Sequence, residues 1–344
     1  MLNQYQRYAS VSMWLICIYL MLFFMVSVGG ITRVTGSGLS MVEWRPVMGV
    51  LPPIGIEEWQ EVFNKYRQFP EYKQVNKGMN LEEFKGIFFW EYFHRVWGRL
   101  IGVVVLLPWI YFVIRKRLDS FTLKATLFGF FWGGAQGAIG WYMVKSGLTQ
   151  KPEVSHYRLT LHLFMAFFVI MLFLWIWMRY RGWVKLREFK HAVSQKVLVF
   201  FTGLIVVQII FGAFMAGKKA GYLFDTFPLM RGEWLPGAFI GPDESLFYQL
   251  HENPFLIHYV HRFIALLIGL YAMYICVYLF KRGNRYHKIG SVVLLLSVIA
   301  QIVSGAITVL THVHVGAAVS HQTIALVLLS ALTYLIFITK RPVN

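Results

Sequence analysis

Four histidines fall inside long apolar stretches of this chain, and they come in two matched pairs. The segment Tyr-Phe-His-Arg-Val-Trp-Gly-Arg-Leu-Ile-Gly around His94 repeats around His261 as Tyr-Val-His-Arg-Phe-Ile-Ala-Leu-Leu-Ile-Gly. His162 and His321 come after the two copies, and an alanine follows each of them at the same distance. A polar side chain is costly inside bilayer-spanning sequence and by default has a function there. The two matched pairs therefore predict two similar metal sites.

The two copies differ three residues before the histidine, where the first has Glu91 and the second has His258. Helical spacing places Glu91 on the same face as His94. One interpretation is an ion pair with Arg95, four residues later on the helix. The other is a general base or a cation-stabilising carboxylate that is present in one half only. On the second interpretation one half does chemistry and the other holds a permanent cofactor.

The elements that must position these residues are membrane helices. The chain has 344 residues, of which 57% are hydrophobic and only 14% are charged, which is too apolar for an ordinary soluble protein. A membrane-spanning helix needs about 20 mainly apolar residues. The sequence has such runs at 12–31, 90–114, 122–144, 155–178, 196–216, 255–280, 288–310 and 316–339. We therefore expect an all-α integral membrane protein with eight transmembrane helices.

The net charge of +17 arises mainly from basic residues that cluster in alternate loops. These residues are Arg115, Lys116, Arg117 and Lys124, then Arg179, Arg181, Lys185, Arg187, Lys190 and Lys196, then Lys281, Arg282, Arg285 and Lys288, then Lys340 and Arg341. Excess lysine and arginine marks cytoplasmic loops. The pattern predicts that both termini are cytoplasmic, and it explains the charge without a nucleic-acid partner. The polar stretch 1–10 before a full-length span gives no sign of a cleavable signal peptide.

The organisation predicted is a tandem repeat of four helices plus four, with halves at 1–186 and 187–344. Gly137-Ala-Ile in the third helix matches Gly305-Ala-Ile in the seventh, and Gly29 matches Gly212 in spacing. An even number of spans separates the copies, so both halves share one orientation. They are then two four-helix bundles related by a pseudo-twofold axis along the membrane normal.

This orientation places all four histidines near the outer face, because the second, fourth, sixth and eighth helices enter from that side. Opposed imidazoles at equal depth suit bis-histidine ligation of a heme iron. Arg95 and Arg262 directly follow a ligand and could pair with heme propionates. Zinc is disfavoured because no acidic or thiol ligands converge on each pair. The alternative, four hydrogen-bonded packing histidines, does not explain the duplication. The sequence further indicates that His156 is solvated or interfacial.

Three segments and the duplicated eight-span organisation resemble the heme A synthase family over nearly the whole chain. The segments are Gly-Gly-Ile-Thr-Arg-Val-Thr-Gly-Ser-Gly-Leu-Ser-Met-Val-Glu-Trp-Arg-Pro at 29–46, Glu91-x-x-His94-Arg95, and Thr226-Phe-Pro-Leu-Met230. Some members have a cysteine pair in the first outer loop, whereas the cysteines here, Cys17 and Cys276, lie in predicted spans. The chain is thus similar to the cysteine-lacking branch of many Gram-negative bacteria and mitochondria.

The resemblance implies that heme O is converted to heme A by oxidation of a ring methyl group to a formyl group. It implies His94 and His162 as ligands of the substrate heme, His261 and His321 as ligands of a heme b, and Glu91 as the functional carboxylate. It also implies the bacterial inner membrane as location. The partners that it implies are heme O, membrane lipid, heme O synthase and oxidase assembly factors.

Two other functions fit the same residues. An electron-transfer cytochrome b subunit would also use paired histidines, although such proteins usually carry ligands toward both membrane faces. A heme or small-molecule transporter is compatible with the parallel repeat. For the enzyme, the sequence further predicts that Gly36-Ser-Gly38 and a loop containing Glu57, Trp59 and Phe63 form a lid over the first site. It also predicts that Asn80 and Glu83 cap a second helix that begins outside the membrane.

Overall fold

The computed structural model describes residues 4–43, 51–149, 151–182, 195–234 and 245–339. Its helices, in chain order, are α1 Gln4–Val34, α2 Ile56–Tyr66, α3 Pro70–Gln74, α4 Leu81–Ile114, α5 Ser120–Gly147, α6 His156–Tyr180, α7 Gln195–Gly217, α8 Leu246–Glu252, α9 Pro254–Arg282, α10 Arg285–Leu310 and α11 Val315–Thr339. Eight of these helices are long, and they coincide with the eight predicted spans. The boundary predicted between the halves, at 186 and 187, lies outside the described residues.

Seven of the long helices have the length and apolar composition needed to cross a membrane, and the chain is an integral membrane protein. The long helix outside this group is α5, which has 28 residues. Its glycines, Gln136 and the terminal Lys124 and Lys145 lower its mean hydropathy. Length alone therefore makes α5 comparable with the other seven.

A cap formed by residues 51–80, which include α2 and α3, packs on the start of α4. Asn80 and Glu83 form a capping box that starts α4 at Leu81, which confirms the predicted cap and places the helix start before the predicted span. Phe84 packs between aromatic residues of α2, and its ring centroid lies 5.0 Å from those of both Phe63 and Tyr66. The apolar cluster orders the loop against the helix that carries Glu91 and His94.

The halves meet along α1, α6, α7 and α11, which pack around one apolar core. Hydroxyl and amide groups join α1 to α11 within this core. The hydrogen bonds are Tyr19 to Ser330 at 2.8 Å, Ser27 to Thr323 at 2.9 Å, and Gln322 to the Val26 carbonyl at 3.0 Å. Side-chain hydrogen bonds of this kind stabilise helix association in lipid, where burial from water contributes little.

The packing of α4 against α5 in the N-terminal half differs from the packing of α9 against α10 in the C-terminal half. In the C-terminal half α9 packs extensively against α10, whereas in the N-terminal half α4 and α5 make few contacts. Each of these helices is well packed on its other neighbour, α4 on α1 and α5 on α6. The N-terminal half is thus open between α4 and α5, and the C-terminal half is closed at the equivalent place.

A polar bridge joins the two halves at the start of α6 and just after the end of α7, and it consists of His156, Tyr157, Lys218, His251 and Glu252. Tyr157 donates to Glu252 at 2.6 Å and lies 2.5 Å from His251 Nδ1, and Lys218 also donates to Glu252. Burial raises the pKa of Glu252, but hydrogen bonds from Lys218 and Tyr157 outweigh it and lower that pKa to about 2. His156 is buried in this bridge, so the predicted solvated position was wrong, whereas an interfacial position stays a prediction.

Candidate functional site

The structure brings the four predicted histidines together as two pairs. The rings of His261 on α9 and His321 on α11 have centroids 6.4 Å apart with an interplanar angle of 75°. The corresponding histidines of the other half are His94 on α4 and His162 on α6, whose rings lie against glycines of α1 and α5. Metal–imidazole bonds are about 2 Å long, so two rings on opposite sides of one ion have centroids roughly 6 Å apart. The separation in the second pair matches that value.

Each histidine ring rests against a glycine of a neighbouring helix. A Cβ at Gly29 would lie 3.2 Å from His94, one at Gly140 2.9 Å from His162, one at Gly212 3.1 Å from His261 and one at Gly305 2.9 Å from His321. Any larger residue would therefore displace the ring. The spacing match of Gly29 with Gly212 in the sequence acquires a physical reason, since both seat the first histidine of their half.

Three glutamines that the sequence analysis missed lie one turn before three of these glycines. Gln136 donates to the His162 carbonyl at 2.8 Å, and Gln208 donates to the His261 carbonyl at 3.0 Å. Gln301 Nε2 lies 3.4 Å from His321 Nε2. The signal that would have found them is the spacing Gln-x-x-x-Gly inside an apolar run, which occurs three times; a fourth occurrence, Gln74 to Gly78, lies in the polar segment before α4.

This spacing corrects the predicted repeat register in the third and seventh helices. The structural counterpart of Gly305 is Gly140, which seats a histidine, whereas a Cβ at Gly137 would meet nothing within 4 Å. The match of Gly137-Ala-Ile with Gly305-Ala-Ile was therefore three residues out of register. Identity of one tripeptide is weaker evidence for structural equivalence than a shared contact with a ligand candidate.

Glu91 is buried and fully engaged by hydrogen-bond donors. The Ser40 hydroxyl donates to one carboxylate oxygen at 2.8 Å, and the backbone N–H of Met41 donates to the same oxygen at 2.7 Å. Arg95 donates to the other oxygen at 2.5 Å. The ion pair predicted between Glu91 and Arg95 is thus present, and the same carboxylate also joins the loop after α1 to α4. The ion pair leaves the second interpretation, a carboxylate that takes part in chemistry, as a prediction.

In the second half, His258 occupies the position of Glu91 and likewise contacts both a loop and the arginine four residues later. Its Nδ1 lies 3.2 Å from the carbonyl of Ala220, and its Nε2 accepts from Arg262 Nε at 3.0 Å. A ring that donates from one nitrogen and accepts at the other is neutral. Both halves therefore join a connecting loop to the helix that carries the first histidine of the pair, through a carboxylate in one half and a neutral imidazole in the other.

The two arginines predicted to contact propionates, Arg95 and Arg262, both lie against backbone carbonyls of these loops. Arg95 donates to the carbonyls of Met41 at 2.9 Å and Glu43 at 3.1 Å. Arg262 Nη1 lies 3.4 Å from the carbonyls of Pro228 and Leu229, while its Nη2 is buried without a hydrogen-bond partner. A buried donor of this kind is suited to an anionic group.

The donor set fits a metal that already has a macrocycle. Among the described residues, no group of three or more histidine, cysteine or carboxylate side chains is placed to hold a metal ion. Each site offers two imidazoles on facing helices, and bis-histidine ligation is one of the ways in which helix bundles hold heme. The glycine seats leave the rings no room to tilt toward the neighbouring helix.

Comparison with known proteins agrees with these features. A family model described as cytochrome oxidase assembly protein, COX15-CtaA, matches residues 12–333. The chain is 40% identical over 335 residues to the heme A synthase of Rhodospirillum centenum, covering 97% of this chain and 89% of that protein. It is 38% identical over 342 residues to the heme A synthase of Wolbachia pipientis wMel, covering 97% and 94%. It is 40% identical over 331 residues to that of Nitrosomonas eutropha, covering 95% and 92%. With nearly its whole length matched, this chain belongs to the COX15-CtaA family of cytochrome oxidase assembly proteins.

Proposed function

We propose that this chain is a heme A synthase, which binds heme O in its N-terminal half and oxidises one ring methyl group to a formyl group. The C-terminal half holds a heme b, which supplies a one-electron redox centre when bound. The observation that carries the proposal is the pairing of four histidines from facing helices, each seated on a glycine. The heme A synthases to which the chain is similar cover nearly its full length.

His94 and His162 are the ligands proposed for the substrate heme, and His261 and His321 those for heme b. Two differences between the halves support this assignment of the hemes. The carboxylate of Glu91 is in the N-terminal half, and the gap between α4 and α5 is there as well. A farnesylated porphyrin is too apolar to cross water, so its site must open to the bilayer. The closed packing of α9 on α10 suits a cofactor that stays bound.

The role proposed for Glu91 is to take a proton, or to stabilise positive charge, as the methyl group is oxidised. Ser40 and Met41 fix one carboxylate oxygen, and Arg95 fixes the other, so the group is held in one orientation one turn from His94. A fixed charge needs no reorganisation during the reaction, which is the condition for efficient electrostatic stabilisation.

Arg262 and Arg95 are proposed to bind propionates. The argument is stronger for Arg262, whose buried Nη2 has no protein partner. Arg95 already donates to Glu91 and two loop carbonyls, so a propionate beside it would also hold the loop that covers Glu91.

The arrangement proposed in the membrane is eight spans in two bundles, with halves 1–186 and 187–344 and a pseudo-twofold axis along the normal. It is supported by α5, which packs on α6 as α10 packs on α11. Both termini are then cytoplasmic, and the protein lies in the bacterial inner membrane. A reporter fused after Arg187 should read cytoplasmic, and one near Gly237 should read external. These fusion sites lie outside the described residues, and the reverse pattern would contradict the proposed orientation.

Activity is tested with protein purified in detergent, reconstituted with heme O and a redox mediator, and analysed for extracted hemes by chromatography and mass spectrometry. We expect one tightly held heme b and an oxidised product, heme A or its hydroxylated precursor. Two bound hemes without oxidised product would instead favour an electron-transfer cytochrome. Release of unaltered heme alone would favour a transporter. The partners expected in the cell are heme O synthase and oxidase assembly factors, besides heme O and lipid.

A further inference from the structure

The spacing Gln-x-x-x-Gly places an amide beside three of the four ligand histidines. Gln136 Nε2 lies 3.1 Å from His162 Nδ1, and Gln208 Nε2 lies 3.3 Å from His261 Nε2. Gln301 Nε2 lies 3.4 Å from His321 Nε2, and the Ser304 hydroxyl lies 3.0 Å from the other nitrogen of that ring. In all three glutamines Oε1 is buried without a hydrogen-bond partner. An unsatisfied buried acceptor is unfavourable, so its recurrence at three equivalent positions calls for a functional explanation.

The fourth position breaks the pattern. Four residues before Gly29, which seats His94, the chain has Met25. A thioether cannot donate a hydrogen bond, and no glutamine amide among the described residues reaches the His94 ring. The Met25 methyl group instead lies beside Gly98, where an added Cβ would be 3.3 Å away. His94 is thus seated on a glycine like the other three, but it is not restrained by an amide.

A ligand imidazole is oriented by the hydrogen bonds around it as much as by the helix that carries it. A metal-bound imidazole keeps one N–H, so the partner that fixes its rotation must accept a hydrogen bond, and loss of that partner typically lowers metal affinity. Each glutamine carries such an acceptor, Oε1, which is without a partner in the amide that contacts the ring. The glutamine amide bridges the ring and the main-chain carbonyl of its own histidine in the first two cases. This contact couples ring rotation to the helix backbone.

We propose that the three glutamines are positioning residues that lock the imidazoles they face. Because Met25 leaves His94 without this restraint, His94 is the ligand that detaches when the substrate heme enters and the product leaves. The inference rests on the proposed function. It assigns entry and release of heme O to the His94 side of the N-terminal site. A permanent cofactor needs two locked ligands, whereas a substrate that must be released needs one that can move.

The first test removes the amide in the C-terminal half by Gln208→Met, which keeps the length of the side chain. The purified protein is mixed with an excess of a heme-scavenging apoprotein, and the loss of heme b is followed by absorbance. We expect roughly 10- to 100-fold faster loss than in the unsubstituted protein. Gln322→Met is the matched control, since Gln322 is a part-buried glutamine beside His321 that donates to the Val26 carbonyl and not to a ligand ring.

The same series includes His261→Ala, which separates the two claims. If His261→Ala has lost heme b and Gln208→Met releases it no faster than Gln322→Met, the positioning role is overturned while the proposed ligands stand. If His261→Ala keeps an unchanged heme b, the ligand assignment and the inference built on it both fail.

The second test adds an amide at the position that lacks one. Met25→Gln is close to isosteric, and Met25→Leu is its apolar control. Each variant is loaded with heme O in the absence of oxidant, and its transfer to the scavenger is timed. We expect Met25→Gln to release heme O about tenfold more slowly than Met25→Leu, with heme b retention the same in both. Equal release rates in the two variants would overturn the proposal.

Discussion

The N-terminal and C-terminal halves of this protein present their histidines in the same way but surround them differently. In both halves, each ring lies against a glycine. In both halves, the arginine that directly follows the first histidine donates to backbone carbonyls of a connecting loop. Around the first pair there is a buried carboxylate and a gap between α4 and α5. Around the second there is a neutral histidine and a closed helix pair.

On the proposed function, this difference separates a substrate site from a cofactor site within one duplicated bundle. The residues proposed to hold iron are common to both halves, whereas those that set access and local charge differ between them. Because helix packing fixes the shared part, substitutions at few positions suffice to separate a substrate site from a redox site. Glu91 against His258 and Met25 against Gln208 are the clearest examples.

The largest expected effect concerns which half keeps its heme on purification. Replacement of His261 or His321 by alanine should abolish the low-spin heme b spectrum, because one imidazole cannot maintain six-coordinate iron. Replacement of His94 or His162 should leave that spectrum intact and abolish oxidation of heme O. The measurement is the absorption spectrum of the purified variants. A full spectrum in both C-terminal variants would reverse the roles of the halves.

Glu91→Gln should reduce oxidation of heme O by about 10²- to 10⁴-fold while heme b binding is retained, since Gln keeps the shape but not the charge. Product is measured by chromatography of extracted hemes. Ser40→Ala is the matched control, because it removes one donor to Glu91 and leaves the carboxylate. If Glu91→Gln and Ser40→Ala have equally small effects, Glu91 is only a loop anchor, and the carboxylate that distinguishes the halves must be sought elsewhere, with Glu43 the next candidate.

A smaller effect is expected from the glycine seats. Gly212→Ala places a Cβ 3.1 Å from the His261 ring and should weaken heme b binding several-fold, because the ring must move by a few tenths of an ångström. Gly203→Ala on the same helix meets nothing within 4 Å and should stabilise α7 by up to about 1 kcal/mol. Heme titration and thermal unfolding measure the two outcomes. Equal heme affinity in both variants would show that the seat tolerates a methyl group.

The smallest expected effect is a pH dependence of local stability, which should differ between the cap that contains Glu71 and the polar bridge that contains Glu252. Burial raises the pKa of Glu71 to about 7; a hydrogen bond from Tyr66 and the charge of Lys219 oppose this rise, and the charge of Glu91 adds to it. A carboxyl group with a raised pKa contributes stability below its ordinary pKa of 4.5 that is lost as pH rises through 7. Glu252 has a lowered pKa, so its contribution is present above pH 4.5 and is lost only as pH falls through about 2.

Between pH 6 and 8 the cap should therefore loosen while the bridge does not. Hydrogen exchange of α2 and α3, corrected for intrinsic rates, measures the first, and exchange of α8 measures the second. Glu71→Gln should remove the pH dependence in the cap, and Glu252→Gln should leave it unchanged. A cap whose exchange is constant over this range in the unsubstituted protein would contradict the assignment to Glu71.

Much of this architecture could be predicted from the sequence, because the signals are local or repeated. Apolar run length places the long helices, since a helix in lipid must satisfy its own backbone. The capping box at Asn80 and Glu83 marks the start of α4 from four residues. The ligand candidates follow from the duplication, and Glu91 stands out because its counterpart is a different residue.

The contacts between helices could be decided only by the tertiary structure. Which glycine seats which histidine, and that Gly140 rather than Gly137 corresponds to Gly305, depends on the rotation and register of packed helices. Helices that are apolar on all sides carry no periodic pattern that reveals these quantities. For the same reason the gap between α4 and α5 and the loop that closes over Glu91 have no signature in any single segment. The spacing Gln-x-x-x-Gly is visible in the sequence, but only helix packing shows that the amides lie beside histidines of other helices. The sequence alone predicted which residues are candidates to bind iron and to take protons, whereas helix packing decided which of them meet, because each meeting joins residues that are far apart along the chain.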